Sequence, residues 1–140
     1  MSVIEFLRTF EEFLGRNGRE RGGTPWAFVE GWESLVDTFE DGYDWSYDEY
    51  LNDVSNRGLL EKAFNDERLK VFEPQIEAMR ERVTQADARL KKLFLPGVEI
   101  GGTAGWSWWE RGVLANGVGE YAEDLKRRFD IELPGLDPRS

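Results

Sequence analysis

Nine carboxylates, Glu30, Glu33, Asp37, Glu40, Asp41, Asp44, Asp48, Glu49 and Asp53, lie between Gly22 and Asn56 with no Lys or Arg among them. Carboxylates at this density suit three chemistries: acid–base work by a pair, coordination of a hard cation, or ion pairing with a basic partner. Asp41, Asp44 and Asp48 lack the Asp-x-Asn/Asp-x-Asp-Gly order and the distal bidentate Glu of a calcium loop, so no metal site is expected. Elsewhere Glu73, Glu77 and Glu81 repeat every four residues, which reads as a solvent-facing helical row and not as a catalytic pair. The chain has no His and no Cys. That excludes a Ser-His-Asp triad, a histidine general base, thiolate catalysis, disulfides, and zinc, iron–sulfur or haem sites that depend on those ligands. The sequence therefore predicts no catalytic residue and no cofactor.

Ion pairing is the chemistry that remains. Outside the acidic window the chain carries 19 acids against 18 bases, so its formal net charge of −10 is local. Eight aromatics share the window: Trp26, Phe28, Trp32, Phe39, Tyr43, Trp45, Tyr47 and Tyr50. A negative potential beside aromatic rings suits the clasping of Lys or Arg side chains by ion pairing and cation–π contact. The residues expected to meet such a partner are Glu30, Glu33, Asp37, Glu40, Asp41, Tyr43, Asp44, Trp45, Asp48 and Glu49. Trp45 falls outside the predicted apolar stripes and should be partly exposed. A solubilising acidic surface is the plain alternative. Against it, like charges three and four apart on a helix cost roughly 0.2–0.5 kcal/mol per pair, and acids in a last turn oppose the helix dipole.

A second cluster, Trp106, Trp108 and Trp109, follows a Gly-rich stretch. Gly101 to Gly105 resembles a phosphate cradle, but no Lys-Ser/Thr follows it, so nucleotide binding is not expected. If the segment were a strand, Trp106 and Trp108 would share one face and Trp109 the other. Capping of the core is the plain role, and a ligand or secondary protein contact is the alternative. Arg16, Arg19 and Arg21 are too few to signal nucleic acid, and a pI near 4.6 argues against direct nucleic-acid binding.

These residues need elements to hold them. Ser2 with Glu5 marks a first helix, whose apolar face is Val3, Phe6, Leu7, Phe10, Phe13 and Leu14, ending at Gly15. Thr24 and Pro25 open a second, with Phe28, Val29, Trp32, Leu35, Val36 and Phe39 inward and Gly42 as its stop. Gly31 inside it costs about 1 kcal/mol relative to Ala and suggests a closely approaching helix. Ser46 with Glu49 opens a third, short helix with Tyr47, Tyr50, Leu51 and Val54 inward, broken or bent at Asn56 to Gly58. Leu69, Phe72, Ile76, Met79, Val83, Ala86, Leu90 and Leu93 form a seam that predicts one long helix kinked at Pro74. Phe94 to Asn116 reads as a loop or irregular hairpin. A last helix starts near Asn116, with Tyr121, Leu125 and Phe129 inward.

The 140 residues predict an all-α or mainly α single domain over 1–133, with five or six helices and a flexible tail over 134–140. No apolar run approaches the roughly 20 residues needed to cross a bilayer, and charges interrupt the N-terminal apolar run, so a cytoplasmic protein without membrane contact is expected. The favoured class is a non-catalytic binding or inhibitor protein that neutralises a basic protein partner. Its concrete form is a bacterial immunity protein against a cationic toxin or nuclease, as monomer or homodimer. A related form is a nucleic-acid mimic whose carboxylates stand in for phosphates. The competing classes are a small-molecule enzyme or ligand-binding protein using the Trp-rich insert plus a carboxylate, and a structural homo-oligomer sharing the 69–93 seam.

Overall fold

Three helix starts follow directly from their capping side chains. Ser2, Thr24 and Ser46 each accept the backbone N–H three residues on, at 3.1, 3.2 and 3.1 Å, which satisfies a donor that a helix start otherwise leaves free. These caps open α1 (Val3–Arg16), α2 (Pro25–Glu40) and α3 (Tyr47–Phe64). A 3₁₀ turn at Lys70–Phe72 precedes α4 (Glu73–Lys91), then come β1 (Phe94–Glu99), α5 (Trp108–Arg111), β2 (Gly112–Leu114) and α6 (Gly119–Phe129). This computed structural model describes residues 2–20, 22–101 and 105–134. Most of the Gly101–Gly105 segment, Arg21 and the expected tail beyond Pro134 lie outside them. The fold is mainly α, a compact single domain with one small two-stranded sheet.

Side-chain pairings fix the helix directions. Trp32 meets Asp87, Glu33 meets Arg82, and Asp37 and Glu40 meet Arg89. From Glu33–Arg82 to Glu40–Arg89 the ion pairs advance along both helices, so α2 and α4 run parallel and end at the same pole of the molecule. In contrast, α3 runs antiparallel to α2, with Phe39 against Tyr50 at a 5.4 Å ring separation. Helix α6 in turn returns along α3, with Tyr121 on Tyr50 and Phe129 on Tyr47. The 69–93 seam is consumed inside the chain: Leu69, Phe72, Ile76, Met79, Val83, Ala86 and Leu90 are all buried. Little apolar area therefore remains on it for a second subunit.

Several local expectations are corrected. Helix α3 does not break at Asn56 to Gly58 but runs through to Phe64. Arg57 is buried there against Asp87, and the open side of Gly58 faces the Trp109 ring, with 4.0 Å from a built Cβ position. Packing outweighs the roughly 1 kcal/mol that glycine costs a helix. Pro74 does not kink a long helix. It sits in the first turn of α4, where its missing N–H is harmless, after Phe72 leaves helical geometry at ψ 47°. Gly31 has nothing within 4 Å of a Cβ position, so no close helix approach explains it. Trp106–Trp109 is not a strand. Ser107 and Glu110 form a reciprocal capping box that winds Trp108 and Trp109 into α5. At the margins of the core Val3, Leu7 and Phe129, expected inward, are substantially exposed.

Candidate functional site

The acidic window divides into two parts with different surroundings. Along α2, three carboxylates pair at the surface with arginines of α4. Arg82 donates to Glu33, through Nε at 3.0 Å and also through Nη2, while its guanidinium lies 5.5 Å from the Trp26 ring centroid. Arg89 donates to both Asp37 and Glu40. The hydrogen bond from Arg89 holds the Glu40 carboxyl below the usual carboxylate range. Parallel packing thus brings two arginines against the row whose like charges oppose both one another and the dipole of α2. Asn116 completes this end, its Nδ2 donating to the Phe39 and Glu40 carbonyls at 2.9 and 3.3 Å. Glu33, Asp37 and Glu40 are joined to the fold. Glu30 is exposed without an ion pair among the described residues, but it stands about 15 Å back along α2 from Glu40.

The other part is the turn from α2 to α3. Gly42, at φ +99°, reverses the chain after Asp41. Tyr43 then turns inward: it is 3% exposed, donates to Asp53 at 2.7 Å, and packs edge-on against Phe39, Tyr50 and Tyr121. Burial, followed by that carboxylate, pushes the Tyr43 hydroxyl far above the ordinary tyrosine range. Tyr43 is therefore an anchor of the turn and not part of its outer face. Trp45 points the other way and is 59% exposed, by far the most exposed tryptophan described. Around it Asp41, Asp44 and Glu49 are exposed and have no ion pair among the described residues, while Asp48 pairs with Arg128 at 3.0 Å. Helix α6 begins beside this turn: the Val118 N–H donates to the Tyr43 carbonyl at 2.8 Å, and Gly119 packs on Asp44. Exposed Glu120 follows directly.

Rigid packing holds the turn from below. Asp124 of α6, 8% exposed, accepts the Tyr47 N–H at 3.0 Å and so supplies a carboxylate at the positive end of α3. Tyr50 donates to the Trp109 carbonyl at 2.6 Å and Tyr121 accepts the Leu114 N–H at 2.9 Å.

Helix α5 keeps Trp108 and Trp109 edge-on to each other at 5.5 Å but gives the tryptophans different surroundings. Trp109 is buried under the Arg57 guanidinium at 4.7 Å, and Trp106 is half-buried. Trp108, half-buried, meets Phe94 edge-on at 6.1 Å and lines a groove with Lys91 and Glu99.

The sequence reading missed a buried polar network. Arg57 donates to Asp87 through Nε at 2.9 Å and Nη2 at 2.8 Å, and to Glu61 through Nη1 at 2.9 Å; Trp32 Nε1 donates to Asp87 at 3.0 Å. Arg57 and Asp87 are 6% and 7% exposed. This set ties α2, α3, α4 and α5 together beneath the surface. Among the described residues no group of three or more carboxylates converges as a metal site, and no helix is long and apolar enough to cross a membrane. No protein-family model, curated protein or solved structure matches the chain.

Proposed function

We propose that this chain is a non-catalytic binding protein that neutralises a basic protein partner through the α2–α3 turn. In its most concrete form it is a bacterial immunity protein acting in the cytoplasm against a cationic toxin such as a nuclease. One observation carries the reading: Trp45 stands 59% exposed among Asp41, Asp44 and Glu49, carboxylates without a cation partner among the described residues. Single exposed rings are ordinary, but an exposed tryptophan on a turn whose Tyr43 and Tyr47 are fixed in the core, with unpaired carboxylates close in the chain, offers a partner's Lys or Arg both an ion pair and a cation–π face. The face is narrower than the sequence suggests. Its members are Asp41, Asp44, Trp45 and Glu49, with Asp48 at the edge already paired with Arg128, while Glu33, Asp37 and Glu40 serve the α2–α4 seam.

The test is affinity capture from the encoding organism with three proteins. The parent should recover a basic protein. Trp45→Ala/Asp44→Lys should bind it about thirtyfold more weakly, as loss of a central aromatic anchor does. Glu33→Gln/Asp37→Asn, matched to the parent by circular dichroism, should stay within about threefold. Equal capture by parent and turn variant would remove the turn from the account.

A further inference from the structure

The hairpin around Trp108 builds a groove that shares no residue with the acidic turn. Strand β1 takes five steps, from Phe94 opposite Leu114 to Glu99 opposite Gly112, while β2 takes two. Four residues, Leu95 to Val98, thus face the single Val113, and this surplus of three must arch out of the ladder, with Gly97 at φ +75° allowing the bend. At the base Gly112 lets the Phe94 ring lie where a side chain would be, since a Cβ there would stand 2.3 Å from it. Phe94 packs edge-on against Trp108, Trp108 against Trp109 at 5.5 Å, and Trp109 under Arg57. The arch and the ring chain flank an open groove of about 710 Å³ whose apolar lining includes Phe94, Leu95, Val98 and Trp108. That volume suits a small ligand.

Charge decides what kind. Lys91, at the end of α4, holds its ammonium 4.6 Å from the Trp108 ring centroid. In a chain of 28 acids and 18 bases it has no carboxylate within 4 Å among the described residues. The other charged group of the lining, Glu99, faces Arg111 at 3.8 Å. Lys91 is thus the uncompensated charge of the groove, held in place by an aromatic face. Pro96, exposed in the middle of β1, has no N–H to give an added strand, which disfavours peptide pairing along this edge. The geometry points to a binding site for a small molecule with a flat apolar body and one anionic group: the body lies against Trp108, Phe94 and Val98, and the anion meets Lys91.

2-Naphthoate is a suitable probe, with the uncharged 2-naphthalenemethanol as its comparator. Titrations followed by the Trp108 indole N–H resonance should saturate with both, the acid binding about fivefold more tightly. In Lys91→Gln, which removes the ammonium from the Trp108 face, the two probes should bind equally. Trp108→Leu should weaken both. No saturable shift at Trp108, or equal affinity of acid and alcohol in the parent, would overturn the assignment. None of these results depends on whether the acidic turn binds a protein.

Discussion

Asp87→Ala is expected to destabilise the fold by about 3–5 kcal/mol, because it removes the buried, bidentate partner of the Arg57 guanidinium and leaves it only the half-exposed Glu61. The same change strips the Trp32 indole N–H of its acceptor. At roughly 3 °C per kcal/mol for a chain of this size, the melting midpoint should fall by about 10–15 °C. The loss reflects a buried charge deprived of its buried partner and not the net worth of the pair. Arg57→Met/Asp87→Leu should therefore recover most of it, since apolar replacement of both partners of a buried ion pair is often neutral or stabilising. Thermal and urea melts of parent, single and double variants distinguish these outcomes. An Asp87→Ala midpoint within 2–3 °C of the parent, roughly 1 kcal/mol, would show that the network does not bind the helices together.

Val83→Asp should be at least as damaging. Val83 is 0% exposed in the middle of α4, between Met79 and Ala86 of the same seam. A new carboxylate there must be buried charged, be protonated, or open the core. A loss of about 4–5 kcal/mol or more is expected, enough to abolish a cooperative transition in a marginally stable domain. A melt matching the parent would mean that α4 does not pack through this seam.

What was legible in the sequence was local. Ser2, Thr24 and Ser46 each bind an amide three residues away, so the signal and its consequence lie in one short window. The 69–93 seam was legible for the same reason, since one helix displays its own periodicity. Trp45 could be placed outside because it falls between two stripes. The α5 turn was also readable: Ser107 and Glu110 repeat the Ser-x-x-Glu spacing of Ser2 and Ser46, but the dense tryptophans between them suggested a strand. What was not legible depends on residues far apart. Arg57 and Asp87 are 30 positions apart, and Glu33 and Arg82 are 49. Nothing local says that α2 and α4 run parallel, and without that the acids of α2 read as an open face. The continuity of α3 through Gly58 likewise depends on Trp109, brought there by the tertiary fold.

The central claim is that charge on the α2–α3 turn, and not charge on α2 itself, meets a basic partner. Its most direct measurement is the association rate constant with the captured partner, by stopped flow at about 0.02 M and 0.2 M ionic strength, for parent, Asp41→Lys/Asp44→Lys and Glu33→Gln/Asp37→Asn. Screening lengths fall from roughly 20 Å to under 10 Å across that range, so steering by exposed carboxylates must weaken. The account predicts that the parent and the α2 variant slow by about tenfold with salt, while the turn variant is slow at both ionic strengths. A turn variant that associates as fast as the parent and loses rate with salt to the same degree would contradict it.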